Sequence, residues 1–489
     1  MIITLKDILY KVRIEAVDGN TFQPFTNIHF DSRNVGLNDV FVAIRGTASD
    51  GHDYIKNAVD QGAIAIVCEE FPDLKINGIT YIKVNDTREA LAYMASNFYD
   101  NPSSKLKLVG ITGTNGKTTV TSLLFQLFQN LGYATGLIST VKILVEKKEY
   151  STKLTTPDSL TINKYLNKMV EAGVEFAFME VSSHGIDQKR SLGLDFDVAA
   201  FTNLSHDHLD YHNSFEEYRD VKKQLFDQLK KSAVAVTNND DKNGSYMLQN
   251  CKAKKYTYAL KSHADFKAKV LENSFTGLHL KIRNQEIWTK IIGEFNAYNL
   301  LSVFAISELL GVEEFENLKF LSQLKPVEGR FEHFKSDADE ISVIVDYAHT
   351  PDALNNVLNT INSIRSKNET LITIVGCGGN RDKSKRPKMG NIASALSDQV
   401  IFTSDNPRFE DPQTIIEDIE KGVESQNQKK TLSIADRKEA IKTACKLSQP
   451  KDIILIAGKG HETYQEIKGK RSDFDDMKIV KSFLNKFKK

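Results

Sequence analysis

The feature that most constrains this chain is a glycine-rich turn, GTNGKTT, at residues 113–119. The apolar run KLVGIT before it (107–112) predicts a short strand, and residues 120–131 have the apolar spacing of a helix. A chain that turns through glycines from a strand into a helix presents backbone N–H groups to an anion at the helix N-terminus. Lys117 would reach the outer phosphates of a nucleotide, and the Thr118 hydroxyl would bind Mg²⁺. We therefore predict a phosphate-binding loop.

This loop departs from the most common phosphate-binding pattern, which has a glycine five residues before the Gly-Lys pair. Ile111 occupies that position here. An ordinary strand–loop–helix corner is the alternative interpretation, but the Gly-Lys-Thr-Thr run argues against it. A tighter version of the nucleotide loop is expected.

Length and turn-rich segments divide the chain. At about 150 residues per domain, 489 residues predict three domains. A polar turn segment at 98–107 and a loop leading into a predicted strand at 341–347 mark the two breaks. Short apolar strands alternate with helical stretches on both sides of the breaks, which is typical of α/β domains with parallel sheets. The predicted domains are a small N-terminal α/β domain (1–104), a central P-loop ATPase-type domain with a mostly parallel sheet (105–332) and a C-terminal Rossmann-like domain (333–489).

Composition excludes several classes of protein. The 64 basic and 64 acidic residues give a net charge of zero, so no overall field recruits nucleic acid or an anionic membrane. Four scattered cysteines without a CxxC pair argue against a zinc or disulfide framework. The first nineteen residues resemble no signal peptide, and no stretch reaches the ~18 apolar residues that span a bilayer. We expect a monomeric cytoplasmic protein with no nucleic-acid or membrane partner.

Two further polar motifs follow apolar runs in the central domain, FMEVSSHGIDQKR (178–190) and AAFTNLSHDHLDYH (199–212). Glu180 and His208 are candidate Mg²⁺-linked groups, because this hard cation prefers oxygen donors and keeps few protein ligands. The cluster of histidines and aspartates at 206–212 raises zinc as an alternative, but its spacing matches no common zinc signature.

The motifs taken together resemble the Mur ligases. GTNGKTT, EVSSHGID, TNLSHDHLDYH, GEFNAYN, EGRFE, VDYAHTPDAL, GCGGNRDKSKRP, SDNPRFEDP and AGKGHETYQ occur in the order expected of that family, over essentially the whole chain. The family uses the shorter GTNGKT loop. The resemblance implies ATP-dependent amide-bond formation with Mg²⁺. The chain looks most like the member that adds the third amino acid to UDP-N-acetylmuramoyl-L-alanyl-D-glutamate.

The resemblance also implies roles for individual residues. Lys117, Lys222 and His208 would be catalytic, and Lys222 would be carbamylated. The residues expected to hold ATP are Gly113, Thr114, Asn115, Gly116, Lys117, Thr118, Thr119, Asn296, Asn299, Arg330 and Asp346. Those expected near Mg²⁺ are Thr118, Glu180, His208 and Lys222. The UDP-sugar would contact Ser32, Gly46, Thr47 and Ala48, and the muramoyl dipeptide would contact Thr155, Thr156, Ser182, Gln188 and Arg190. The incoming amino acid would contact Arg381, Asp405, Asn406, Pro407, Arg408, Gly458 and Glu462.

The choice of incoming amino acid depends on Arg408 of the segment DNPR. Lysine-adding relatives lack this arginine, whose planar fork can pair with the distal carboxylate of meso-diaminopimelate. We therefore expect meso-diaminopimelate, with L-lysine as the alternative. A small-molecule kinase, a nucleotide-dependent switch and a folylpolyglutamate-type ligase are the alternatives from other classes. Each leaves part of the motif series unexplained.

Overall fold

The computed structural model describes residues 3–46, 49–207 and 211–489. Within these residues the strands form three sheets of five or more strands and one two-stranded hairpin.

The first sheet is small and has the order β1-β5-β4-β3-β2. Strand β1 pairs antiparallel with β5, and the other strands run parallel. Its strands are β1 Ile14–Asp18, β2 Ile28–His29, β3 Asp39–Val42, β4 Ala63–Cys68 and β5 Thr80–Val84, and its helices are α1 Leu5–Ile8, α2 Ile55–Asp60 and α3 Thr87–Phe98.

The central sheet has eleven strands in the order β16-β15-β14-β13-β12-β11-β6-β10-β7-β8-β9. Its strands are β6 Lys107–Thr112, β7 Thr135–Ile138, β8 Ile143–Val145, β9 Lys148–Tyr150, β10 Phe176–Glu180, β11 Val198–Phe201, β12 Val234–Asn238, β13 Lys254–Ala259, β14 Phe266–Ser274, β15 Gly277–Ile282 and β16 Gln285–Thr289. The helices of this part are α4 Lys117–Asn130, α5 Ser159–Glu171, α6 Ser183–Asp187, α7 Phe215–Asp227, α8 Gly244–Met247, α9 Glu294–Leu309 and α10 Glu314–Gln323.

Strands β7 and β10 to β13 run parallel to β6 through the middle of this sheet. Antiparallel hairpins extend both ends of the sheet, and sequence periodicity did not predict them. Helices α4 and α9 cover one face, and α5 and α7 cover the other. Because β6 is buried on both faces, it is a continuous apolar run rather than an alternating one.

The third sheet has the order β17-β18-β22-β19-β20-β21, with only β17 antiparallel. Its strands are β17 Glu332–Lys335, β18 Ser342–Asp346, β19 Leu371–Val375, β20 Gln399–Phe402, β21 Thr431–Ser433 and β22 Ile453–Ala457, and a separate hairpin comprises β23 Tyr464–Ile467 and β24 Lys470–Asp473. The helices are α11 Pro351–Ile364, α12 Lys385–Leu396, α13 Pro412–Glu420, α14 Arg437–Leu447 and α15 Asp476–Phe487.

These sheets confirm the predicted α/β fold class with its parallel central and C-terminal sheets. The predicted boundary between residues 332 and 333 falls inside β17. None of the helices in the described part of the chain is long and apolar enough to cross a bilayer.

Candidate active site

The glycine-rich loop packs closely on the segment that follows β11. Gly113 and Gly116 have φ angles of 147° and 89°, which favour glycine. A Cβ atom added to Gly113 would lie 1.9 Å from the Thr202 hydroxyl oxygen. That hydroxyl donates to the carbonyl of Asn115 at 2.6 Å, and the Asn115 N–H donates to the side chain of Asn203 at 3.0 Å. The segment that follows β11 therefore fixes the conformation of the glycine-rich loop.

The side-chain nitrogens of two lysines converge on one carbonyl of this loop. Lys117 Nζ donates to the carbonyl of Gly113 at 2.8 Å, and Lys222 Nζ from α7 donates to the same oxygen at 3.0 Å. Burial, and then the nearby Lys117 charge, hold the pKa of Lys222 well below its ordinary value. Lys223 instead pairs with Asp227 along its own helix at 2.6 Å. Of these two adjacent lysines, it is therefore Lys222, the one expected from the family resemblance, that contacts the loop.

Oxygen donors beside the loop fit a hard cation. Glu180 ends β10 and is fully buried, and both of its carboxylate oxygens accept hydrogen bonds from Thr140, at 2.8 and 3.0 Å. Thr118 is the second residue of α4 and is almost fully buried. A buried carboxylate and a hydroxyl are the donors that Mg²⁺ prefers. Among the described residues, no group of three or more histidine, cysteine or acidic side chains could hold a metal such as zinc.

A residue from beyond α10 contacts the phosphate loop directly. Arg330 Nη2 donates to the Thr118 hydroxyl at 3.0 Å, and its guanidinium lies 4.5 Å from the ring centre of Tyr347. Its buried Nε has no hydrogen-bond partner among the described residues. Asp346 accepts a hydrogen bond from the N–H of Phe331 at 2.6 Å, and burial raises the pKa of this carboxyl to about 6. Arg330 therefore offers an unused donor next to the loop, as expected of an anion site.

Asn296 and Asn299 lie behind the loop on α9. Both are buried, and Asn299 donates its amide to Asn296 at 2.8 Å. A Cβ atom on Gly116 would lie 2.5 Å from the Asn299 side-chain oxygen. The pair is thus next to the loop, and its predicted contact with the adenine stays a prediction.

A cavity of about 960 Å³ lies between the central and third sheets. It brings together ten of the predicted substrate residues, namely Thr155, Thr156, Ser182, Arg190, Arg381, Asp405, Asn406, Arg408, Gly458 and Glu462. Gln188 does not line it but accepts hydrogen bonds from Arg190, the shorter at 2.6 Å. Ser32 and Gly46 lie in the first domain and do not line this cavity. Three of the predicted residues, Thr47, Ala48 and His208, lie outside the described residues.

The central-domain wall of the cavity is organised by Thr156. Its hydroxyl donates to the carbonyl of Glu180 at 2.9 Å and accepts from the N–H of Ser182 at 2.9 Å. Its own carbonyl accepts from Arg190 Nη1 at 2.6 Å. Thr156 therefore connects the end of β10 to Arg190, whose guanidinium can pair with a substrate carboxylate.

The opposite wall carries Arg408 in a left-handed backbone conformation, with φ 53°. Its N–H donates to the carbonyl of Glu466 at 3.1 Å, and its carbonyl accepts from the N–H of Lys468 at 2.6 Å. Its Nη1 donates to the carbonyl of Gly379 at 2.8 Å. The two backbone hydrogen bonds to the hairpin β23–β24 therefore offset the strained backbone of Arg408, whose side chain lines the cavity.

Several residues of the site were not singled out in the sequence. These are Thr140, Lys142, His184, Tyr347, His349, Lys385, Lys459 and His461. Tyr347, His349, Lys459 and His461 lie within the motifs VDYAHTPDAL and AGKGHETYQ, so the motifs themselves were the available signal. Burial lowers the pKa of His349 to about 4 and that of His461 to about 3, so both rings are neutral at pH 7. No sequence pattern marked Thr140, because only the packing of β7 beside β10 brings it to Glu180.

Family models match three parts of the chain. Residues 24–99 match the Mur ligase family catalytic domain, residues 111–307 match the Mur ligase middle domain, and residues 329–460 match the Mur ligase glutamate ligase domain.

Curated relatives match nearly the whole length. The UDP-N-acetylmuramoyl-L-alanyl-D-glutamate–2,6-diaminopimelate ligase of Cytophaga hutchinsonii is 52% identical over 482 residues, covering 98% of this chain and 99% of the relative. The ligase of the same name from Phocaeicola vulgatus is 51% identical over 480 residues, covering 98% and 99%.

Solved structures share the fold. A UDP-N-acetylmuramoyl-L-alanyl-D-glutamate–2,6-diaminopimelate ligase superposes with a TM-score of 0.70 at 32% identity, covering 100% of both chains. A MurF ligase from Thermotoga maritima, solved in complex with ADP, superposes with a TM-score of 0.62 at 19% identity, covering 94% of this chain and 97% of that chain.

Proposed function

The chain belongs to the Mur ligase family, and on that premise we propose that it joins meso-2,6-diaminopimelate to UDP-N-acetylmuramoyl-L-alanyl-D-glutamate. ATP would supply the driving force and leave as ADP and phosphate. The reaction is a step in the synthesis of the peptidoglycan precursor, and we propose that a monomer carries it out in the cytoplasm.

The cavity between the two sheets is the observation that carries this proposal. Arg190 from one wall and Arg381 and Arg408 from the other open into the same 960 Å³ space. A kinase or a switch needs the phosphate loop but not a second wall of cationic groups. A ligase that brings together two carboxylate-bearing substrates needs both walls.

The chemistry explains why a phosphate loop adjoins this cavity. An amine does not displace oxide from a carboxylate at neutral pH. A carboxylate oxygen of the dipeptide therefore attacks the γ-phosphorus of ATP, the bond to the β-phosphate oxygen breaks, and ADP leaves. The neutral amine then attacks the acyl carbon, the bond to the phosphate oxygen breaks, and the amine proton passes to phosphate or water. The protein's contribution is to position the groups and neutralise their charges.

Each step of this reaction requires particular residues of this chain. Lys117 and the N–H groups of the loop would hold the β- and γ-phosphates, and Arg330 would donate its unused Nε–H to a phosphate oxygen. Asn296 and Asn299 would meet the adenine, and Asp346 the ribose hydroxyls. Mg²⁺ near Thr118, Glu180, His208 and Lys222 would neutralise phosphate charge when bound.

The substrates would occupy separate surfaces. Ser32 and the segment Gly46-Thr47-Ala48 would bind the UDP end in the N-terminal domain (1–104). Thr155, Thr156, Ser182 and Arg190 would hold the muramoyl dipeptide in the central domain (105–332), and Gln188 would orient Arg190. Arg381, Gly458, Glu462 and the segment 405–408 would hold the amino acid in the C-terminal domain (333–489).

The deciding experiment measures phosphate release from ATP with the muramoyl dipeptide precursor, with each candidate amino acid, and with both together. We expect release only when both are present, with meso-diaminopimelate preferred to L-lysine. Release that needs no amino acid would point to a kinase or a simple ATPase. An equal or higher catalytic efficiency with L-lysine would reject the proposed acceptor while keeping the ligase reaction.

A further inference from the structure

A buried lysine lies under the amino-acid wall of the cavity. Lys459 follows β22 and is fully buried. Its Nζ donates to Glu462 Oε2 at 2.9 Å and to the Asn406 side-chain oxygen at 3.1 Å. The charge also lies 5.4 Å from the ring centre of Tyr464.

Lys459 joins two loops that arise from different strands. Asn406 follows β20, and its amide donates to the same Glu462 oxygen at 2.7 Å. The N–H of Glu466 donates to the Asn406 side-chain oxygen at 2.9 Å. Glu462 Oε2 therefore accepts from two donors, and the network fixes the residue that stands two positions before Arg408. Truncating Lys459 would leave Glu462 as a mostly buried carboxylate without its cation.

We propose that Lys459 is a positioning residue that determines specificity for an amino acid whose far end carries both an ammonium and a carboxylate. This inference rests on the proposed function and deepens it. Lys459 orients the carboxylate of Glu462 and neutralises its charge. Glu462 therefore does not attract cations in general into the cavity.

The charges of the two candidate amino acids explain the effect. The far end of meso-diaminopimelate is a zwitterion of zero net charge, whereas that of L-lysine is a single cation. A buried positive charge beside Glu462 attracts the distal carboxylate of the first and repels the ammonium of the second. The neighbouring buried cation Arg437 cannot replace the charge of Lys459, because Arg437 is itself paired with Asp476 at 2.7 Å. Removing the Lys459 charge therefore favours L-lysine relative to meso-diaminopimelate.

The test compares kcat/KM for the two amino acids in Lys459→Met, Lys459→Gln and the unaltered enzyme. Methionine keeps the length and loses both the charge and the donor, whereas glutamine loses the charge and keeps a donor. Lys470→Met is the matched control, because Lys470 is an exposed lysine of the hairpin strand β24. Thermal unfolding identifies which variants fold.

We expect the ratio of kcat/KM for meso-diaminopimelate to that for L-lysine to fall about tenfold in both Lys459 variants, the effect of one partly screened charge at close range. Lys470→Met should leave the ratio unchanged. A structural role alone would lower kcat/KM for both amino acids equally. An unchanged or increased ratio in a folded variant overturns the inference, and Lys459→Gln decides if Lys459→Met does not fold.

The same measurements separate this inference from the proposed function. If the unaltered enzyme does not use meso-diaminopimelate, the proposed function fails. If it does, and the ratio does not move in the folded Lys459 variants, only the role of Lys459 fails.

Discussion

Lys222 Nζ lies 3.0 Å from the carbonyl oxygen of Gly113, so an amine from α7 touches the first residue of the phosphate loop. The side chain is only 1% exposed, and its low pKa favours the neutral amine that reaction with CO₂ requires. Carbamylation would turn the amine into an anion next to the expected Mg²⁺. We therefore propose that Lys222 is the carbamylated lysine.

Lys222→Ala should nearly abolish turnover and leave the fold intact, and added short carboxylates should partly restore activity by replacing the lost anion. Lys223→Ala is the matched control, because Lys223 pairs with Asp227 and not with the loop. Steady-state phosphate release and circular dichroism test both variants. Full activity of Lys222→Ala would contradict the assignment.

Lys117→Ala should abolish turnover with little effect on the affinity for the UDP-sugar substrate. Lys117 donates to the carbonyls of Gly113 and Thr114 within the phosphate loop, whereas the UDP end is expected on the first domain. Calorimetric titration with the UDP-sugar substrate measures the affinity. A loss of affinity as large as the loss of turnover would show that the two domains do not divide these roles.

Arg408→Ala should remove most of the preference for meso-diaminopimelate over L-lysine. With L-lysine filling the cavity of the unaltered enzyme, Arg408 would be buried without a carboxylate partner, which costs on the order of 3–5 kcal/mol, a discrimination of roughly a hundred- to a few thousand-fold. The measurement is the ratio of kcat/KM for the two amino acids. A preference that survives the substitution unchanged would place discrimination elsewhere in the cavity.

Lys189 links the first and central domains, and its loss should weaken binding of the UDP-sugar substrate. It stands between Gln188 and Arg190, and its Nζ lies 3.0 Å from Asp86 and 2.8 Å from Glu89 of the first domain. These pairs are partly exposed, so salt should screen them.

Lys189→Met should therefore raise KM for the UDP-sugar severalfold, with little change in kcat. The KM of the unaltered enzyme should increase with ionic strength more steeply than that of the variant. Lys164→Met, at an exposed position on α5, is the control. An identical salt dependence in enzyme and variant would argue against the link.

Asp346 should make stability depend on pH between about 4 and 6. Burial raises its folded-state pKa to about 6 from 3.8, so the folded protein holds a proton that the unfolded chain has lost in this window. Its contribution is greatest below pH 4 and is lost as the pH rises through 6. Relative to Asp346→Asn, the unfolding free energy of the unaltered protein should fall by on the order of 2–3 kcal/mol over this range. Denaturant titrations at pH 4, 5, 6 and 7 measure it, and parallel pH profiles would refute the buried-acid assignment.

The sequence by itself determined the parallel strands and the phosphate loop. Apolar runs such as 107–112 and 371–375 predict buried strands, and the glycines of 113–116 predict the turn between β6 and α4. These signals are local, because periodicity and backbone conformation depend on neighbouring residues. The strands β14 to β16 were not predicted, because charged and polar residues interrupt their apolar positions and their burial patterns are mixed.

Only the tertiary structure decided which side chains meet. Arg330 reaches Thr118 across 212 positions, Lys222 rather than Lys223 faces the loop, and Lys459 joins Asn406 to Glu462. Such contacts depend on how whole sheets and helices pack, which no local pattern encodes. The sequence motifs contain the residues of the cavity wall. The cavity itself exists only because the central and third sheets lie opposite each other.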